Sequence, residues 1–273
     1  MQNFGNINKF EFLKTKPFLI FKFNNFLNEN QFSQLFNEII EYKDLDLEKL
    51  VVEDNKIAIS SRRDYPYENY FKKKIHLSNL IDFFDSNKAK KYFLKSFKYH
   101  FLMSKLLSIL TLIMFKEKIS INNRIKQLLK NTFVFLKHLF KILFNFQNLD
   151  TKIEVSIIQQ NGFIVPHTDS KSKFISLMLY FPKYLKDHKL FLKEQSLGTI
   201  FYESKISGNS NPHLKNEDQK NFFDKSILSL QLPFEKFHLY GFLRNPYSWH
   251  EVKKIQIEDG YERISVNINY HIT

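Results

Sequence analysis

Residues 166–182 read Pro-His-Thr-Asp-Ser-Lys-Ser-Lys-Phe-Ile-Ser-Leu-Met-Leu-Tyr-Phe-Pro, and the fold is decided by how this stretch divides. Phe174 to Phe181 is an apolar run of the length of a buried strand, bounded by a short polar turn from Ser170 to Lys173. Upstream, Lys152 to Ile158 reads as another strand, Asn161-Gly162 breaks it, and Pro166 stiffens the approach to His167. In an extended segment residues i and i+2 point to the same side, so His167 and Asp169 can converge on one metal ion. A third ligand is offered by His250, on a distant strand. Two imidazoles and one carboxylate can hold one face of a ferrous ion and leave the opposite face open.

Further strands are expected at Gly198 to Tyr202, Lys236 to Leu243 and Glu262 to Ile272. Short strands at close spacing with turn residues between them suggest a sandwich or barrel. The last strand alternates strictly, with Ile264, Val266, Ile268 and Tyr270 on one face and Arg263, Ser265, Asn267 and Asn269 on the other. A soluble barrel could turn that polar face to water. The reading adopted here turns it inward, lining a wet pocket, because Arg263 opens the row shortly after His250.

The stretches PHTDSKSKFISLMLYFP, GTIFY, FLRNPYSWHEV and ERISVNINY resemble the iron(II)- and 2-oxoglutarate-dependent oxygenases, in the branch that includes prolyl 4-hydroxylase-like enzymes. The resemblance covers residues 151–273. It implies an α+β chain whose core is a double-stranded β-helix, a jelly-roll or cupin-like arrangement, with N-terminal and inserted helices packed outside. It also implies one dioxygenase domain over residues 1–273, with residues 1–150 as a strand-plus-helical N-terminal part and 151–273 as the catalytic core. By the same resemblance His167, Asp169 and His250 are the iron ligands, and Arg263, with Ser265, grips the distal carboxylate of 2-oxoglutarate. A planar guanidinium engages a carboxylate through two parallel hydrogen bonds, which lysine cannot do. The implied reaction consumes O2 and 2-oxoglutarate, sustained by ascorbate, releases succinate and carbon dioxide, and hydroxylates a small-molecule, saccharide-linked or peptidyl substrate.

Two positions narrow the branch and one departs from it. Asp169 is present where halogenating relatives carry a small residue, and Asn269 stands where nucleic-acid demethylases carry a second arginine, so both activities are disfavoured. The strand before His167 often supplies a tyrosine to the co-substrate, but here it ends Ile158-Gln159-Gln160. Tyr180 or Tyr202 could take that role. Trp249 is expected to pack beside the metal, and Arg244 to reach either an anionic substrate or a surface ion pair. His188, His213, His238 and His271 read as ordinary surface or satisfied histidines.

A chain of 273 residues with no cysteine excludes disulfides, thiolate metal sites and thiol catalysis, and favours a reducing, cytoplasmic setting. Its first residues lack the apolar core of a secretory signal. The net charge of +13 invites a nucleic-acid partner, but of 41 basic residues only five are arginine, and the lysines are spread along the chain. Specific nucleic-acid binding is not expected.

Lys16 to Phe23 reads as a first strand and Glu29 to Tyr42 as a helix, while His76 to Asp85 is ambiguous and Ser61 to Pro66 reads as a loop. Ala89 to Phe146 reads as two or three helices. Within it Phe101 to Phe115 is too short to cross a bilayer and contains Lys105, so a buried helix is expected. Thr132 to Phe146 is expected to pack outside the barrel or against a second subunit, with peripheral membrane contact as the lesser alternative. A different class of function also fits the composition: a non-catalytic barrel that binds a metal or small molecule while its helical region contacts a partner or membrane.

Overall fold

The computed structural model describes residues 4, 10–45, 52–53, 55–60, 70–71, 73–114, 129, 132–133, 136, 149–206, 208, 214, 216–257 and 260–272. The Ser61 to Pro66 loop, most of Thr132 to Phe146, and His213 lie outside the described residues. Among the described residues twelve strands form two antiparallel sheets. β1 (Glu11–Lys14), β2 (Ile20–Phe23), β3 (Val52–Glu53), β4 (Lys56–Ser60), β5 (Leu149–Ile158), β7 (Lys173–Phe181), β10 (Leu239–Leu243) and β12 (Arg263–Ile272) make an eight-stranded sheet in the order β1-β2-β10-β7-β12-β5-β4-β3. β6 (Ile164–His167), β8 (Ile200–Ser204), β9 (Ser226–Gln231) and β11 (Trp249–Val252) make a four-stranded sheet in the order β6-β11-β8-β9. From β5 to β8 and again from β9 to β12 successive strands alternate between the two sheets, with the β8–β9 hairpin inside the smaller one, the winding of a double-stranded β-helix. The fold is α+β, as expected.

The two faces of the large sheet differ chemically, following the two-residue period of strands. One face carries Ile57 and Ile59 of β4, Ile153, Val155 and Ile157 of β5, Ile264, Val266 and Ile268 of β12, and Ile175, Leu177 and Leu179 of β7, all buried. Helices cover it: α1 (Glu29–Ile40), α2 (Ile75–Asp85) and α3 (Asn87–Met114). Phenylalanine does much of the joining. Phe97 of α3 stacks on Phe21 of β2 with ring centroids 4.3 Å apart, and Phe32 of α1 stacks on Phe181 of β7 at 5.3 Å. A Cβ on Gly241 of β10 would lie 2.4 Å from the Phe21 ring, so the ring occupies space that only glycine leaves open.

Local signals set the helix ends. Asn28 caps α1 through a reciprocal pair with Gln31, each side chain accepting from the other residue's backbone N–H at 2.8 and 3.0 Å. Lacking a cap of its own, α2 uses the Glu38 carboxylate of α1, which accepts from His76 N and Leu77 N at 2.9 and 2.8 Å. The Tyr270 hydroxyl donates to Phe84 O at 2.7 Å, tying β12 to the end of α2.

Several expectations on the N-terminal part need correction. The first strand is Glu11–Lys14, and the expected Lys16 to Phe23 strand begins only at Ile20. The ambiguous His76 to Asp85 segment is helical. The short strands β3, β4 and β9, and the helices α4 (His188–Gln195) and α5 (Asn216–Asp224), were not expected; each is too short or too polar for a periodic signal. No helix among the described residues is long and apolar enough to cross a membrane. α3 buries Ala89, Phe93, Leu94 and Phe97 near its start, while Tyr99 and Met103 are exposed. Of the Thr132 to Phe146 segment only positions 132, 133 and 136 are described, and Phe133 and Leu136 are exposed.

Candidate active site

The inner face of the large sheet meets the small sheet across a cavity of about 400 Å³. Arg263, Ser265, Asn267 and Asn269 of β12 all line it, so the polar row turns inward as expected. The same wall continues through Lys152, Glu154 and Ser156 of β5, which lie opposite Asn269, Asn267 and Ser265 in register. β6 supplies Ile164 and His167, and β11 supplies His250.

Antiparallel pairing of β6 with β11 sets His167 directly across from His250, with ring centroids 4.1 Å apart. With Asp169 they form a group whose ligand atoms all lie within 4.8 Å of one another. The carboxylate faces both rings: Oδ1 lies 3.8 Å from His167 Nε2, and Oδ2 lies 3.7 Å from His250 Nε2. In each imidazole Nδ1 is 2.9 Å from a carbonyl oxygen two residues upstream, Val165 O for His167 and Ser248 O for His250. A neutral ring in that setting keeps its proton on Nδ1 and presents a bare Nε2 lone pair inward, the tautomer a metal ligand requires.

The route to this convergence differs from the strand argument. β6 ends at His167, and Asp169 has φ of +64°, in the left-handed region that aspartate tolerates better than most residues. The carboxylate is therefore aimed by a turn. Arg244, at the end of β10, holds that turn: it is 1% exposed, its Nε donates to Thr168 O at 3.2 Å and its Nη2 to Asp169 O at 3.4 Å. Neither the substrate contact nor the surface ion pair expected for Arg244 is what the structure contains, because its guanidinium is spent on backbone carbonyls. Burial lowers its pKa from 12.5 to about 10, leaving it a cation at neutral pH.

Two side chains absent from the sequence reading touch Asp169. Lys173 Nζ lies 2.6 Å from Oδ1, and Ser176 Oγ donates to Oδ2 at 3.1 Å. Burial pushes the Asp169 pKa up, but Lys173, His250 and His167 together outweigh it, and the net direction is well below the ordinary carboxylate range. The signal for Lys173 was its i+4 spacing from Asp169 across the Ser170 turn.

Arg263 is 2% exposed and reaches the cavity with its guanidinium 5.2 Å from the ring centres of both Tyr180 and Phe234. Its Nε donates to Leu197 O at 2.6 Å and its Nη1 to Ser265 Oγ at 3.3 Å. Burial lowers the Arg263 pKa, opposed by Tyr180 and Tyr261. The Tyr180 hydroxyl is engaged with Thr199 Oγ1 at 2.8 Å. Tyr202 lies on the other face of the small sheet, bonded to Glu251 and packed on Phe222, and so cannot serve the cavity. Trp249 shares that outer face, with Nε1 donating to Ile206 O at 2.7 Å; it packs behind the strand, and not beside the ligands. His188 is exposed, His238 is half-buried, and His271 is buried with Nδ1 3.0 Å from Ser172 Oγ, none of them in the ligand group.

Solved structures similar to this chain include a Pseudomonas putida prolyl-4-hydroxylase, at 11% identity over 93% of this chain and 92% of that one, with a TM-score of 0.40. The epimerase SnoN of nogalamycin biosynthesis, in complex with Fe3+, alpha ketoglutarate and nogalamycin RO, is similar at 7% identity, covering 92% of this chain and 78% of that one, with a TM-score of 0.46. HygX of Streptomyces hygroscopicus, with nickel, 2-oxoglutarate and hygromycin B bound, is similar at 10% identity, covering 93% and 83%, with a TM-score of 0.40. No protein-family model and no curated protein sequence matches the chain.

Proposed function

We propose that this chain is an iron(II)- and 2-oxoglutarate-dependent oxygenase of the prolyl 4-hydroxylase-like kind, acting as one domain to hydroxylate a small-molecule, saccharide-linked or peptidyl substrate. One observation carries the reading: two Nε2 lone pairs and a carboxylate face one point in a cavity that also contains a buried arginine. The donor set suits a ferrous ion, being nitrogen and oxygen without thiolate, with the opposite face left to exchangeable ligands. His167, Asp169 and His250 would hold the ion; Arg263 and Ser265 would hold the far carboxylate of 2-oxoglutarate.

When bound, the iron and 2-oxoglutarate supply dioxygen activation and, by oxidative decarboxylation to succinate and carbon dioxide, the oxidising power for hydroxylating a C–H bond. The chain's own part is positional. Val165 O and Ser248 O fix the imidazole tautomers, and Arg244 fixes the turn that aims Asp169. Phe242 and Phe201 flank the His250 ring, with centroids 4.6 and 5.9 Å away, and keep water from that side. Tyr180 acts through Arg263, confining the guanidinium while its own hydroxyl is held by Thr199. The wall formed by Glu154, Lys152, Asn267 and Asn269 offers hydrogen bonds beyond the ligands, which suits a polar substrate group.

The deciding experiment supplies the purified protein with ferrous iron, ascorbate, O2 and 2-oxoglutarate and measures succinate. Slow release without a substrate is expected. Tight metal and 2-oxoglutarate binding with no succinate under any condition would favour the non-catalytic barrel instead.

A further inference from the structure

Resting on the oxygenase reading, we infer that Ser156 is a third donor to the far carboxylate of 2-oxoglutarate, replacing the tyrosine that the strand before His167 lacks. Of the buried hydroxyls without a hydrogen-bond partner among the described residues, on Thr151, Ser156, Thr168 and Ser226, only that of Ser156 belongs to a residue lining the cavity. Buried donors are normally satisfied, and one left open beside a cavity marks where a ligand acceptor belongs.

Register explains both why the hydroxyl is open and what it faces. Across the inner face of the sheet the row runs Ala58, Ser156, Ser265, Tyr180. Ala58 has no polar atom to offer. Ser265 already accepts from Arg263 Nη1 at 3.3 Å, which leaves its own O–H to donate. Directly opposed residues on antiparallel strands have Cβ atoms about 5 Å apart, so the two serine hydroxyls can reach one carboxylate from adjacent strands. Arg263 supplies the charge, and Ser156 and Ser265 supply neutral donors.

The test is calorimetric titration of 2-oxoglutarate, and of 2-oxobutyrate, into protein loaded with Mn(II) under anaerobic conditions. 2-Oxobutyrate keeps the keto acid and lacks the far carboxylate. Ser156→Ala is expected to weaken 2-oxoglutarate binding about tenfold, as for a hydrogen bond to a charged group, while 2-oxobutyrate binds as to wild type. In the ligand-free protein the same variant should melt at or above the wild-type temperature, because an unsatisfied buried hydroxyl has been removed.

Equal affinity of Ser156→Ala and wild type for 2-oxoglutarate, with Arg263→Ala weakened, overturns the Ser156 assignment and leaves the oxygenase reading intact. Equal weakening toward both keto acids also overturns it. Wild-type protein that binds neither keto acid overturns the oxygenase reading itself. Should Ser156→Ala not fold, Ser156→Cys keeps the shape with a weak donor, and the same comparison decides.

Discussion

Arg244 and Asp169 are bound through the backbone: the buried guanidinium donates to the Asp169 carbonyl, 75 positions earlier in the chain, while the Asp169 side chain points to the ligand group. The strand after the cavity thus holds the turn before it. Arg244→Met leaves the Thr168 and Asp169 carbonyls without their buried donor, at about 1–3 kcal/mol each. With the left-handed turn released, divalent-metal affinity should fall on the order of tenfold to a hundredfold, though none of the three ligands has changed. Titration with Mn(II) reads this, and wild-type affinity in Arg244→Met would sink it.

Lys173 sets up an exchange of cations. Lys173→Met leaves the buried Asp169 carboxylate with the Ser176 hydroxyl and the two imidazoles but no ammonium, which should cost the metal-free protein about 3–5 kcal/mol. A divalent ion restores the missing charge and no longer meets an ammonium 2.6 Å from the carboxylate. The metal-induced rise in melting temperature should therefore be larger in Lys173→Met than in wild type. An equal or smaller rise would show that Lys173 does not oppose the ion.

Substitutions at the ligands and at the clamp should separate cleanly. His167→Ala and Asp169→Ala should each lower iron binding, measured as metal retained after desalting. Arg263→Ala should retain iron and raise the 2-oxoglutarate needed for half-maximal succinate release by roughly tenfold or more, as expected for a lost charge-assisted contact. Equal iron loss in all three variants would instead indicate general misfolding.

Asp169 also predicts an acid limb in stability. Its folded pKa is depressed below the ordinary 3.8, so the unfolded chain binds the proton first as pH falls. The stabilisation is complete above that value and is lost as pH drops toward the folded pKa, below about pH 4. Urea unfolding of the metal-free protein across this range should show a decline that is shallower in Lys173→Met, where a principal attractive partner is gone. Identical slopes would contradict the assignment.

On the far side of the large sheet, Phe97→Ala removes the ring stacked on Phe21 and should cost about 3–5 kcal/mol. Metal affinity should be unchanged, because the helical layer and the cavity lie on opposite faces of the sheet. A parallel loss of metal binding would mean that the two faces are coupled.

The strongest signals in the sequence were those with a short period. Alternation along Arg263 to Tyr270 sorted those residues onto two faces, and the apolar run to Phe181 marked a buried strand. Helical spacing from Glu29 to Tyr42 announced the first helix. Short elements such as β3 carry too few residues for a pattern to rise above chance. The tyrosine substitution was half legible: Tyr180 lies against Arg263, whereas one step of alternation sends Tyr202 to the opposite face of its sheet.

Composition, spacing and residue chemistry by themselves determined the ligand types, the alternation of the last strand and the strand-rich second half, since these depend on neighbours a few positions apart. Tertiary structure alone decided that the polar row turns inward, that Arg244 grips the Asp169 turn, and that Ser156 faces Ser265 with no partner among the described residues. Those relationships depend on sheet register and on a backbone turn of positive φ. Hydrogen bonds between strands distant in sequence fix both, and no local pattern encodes them.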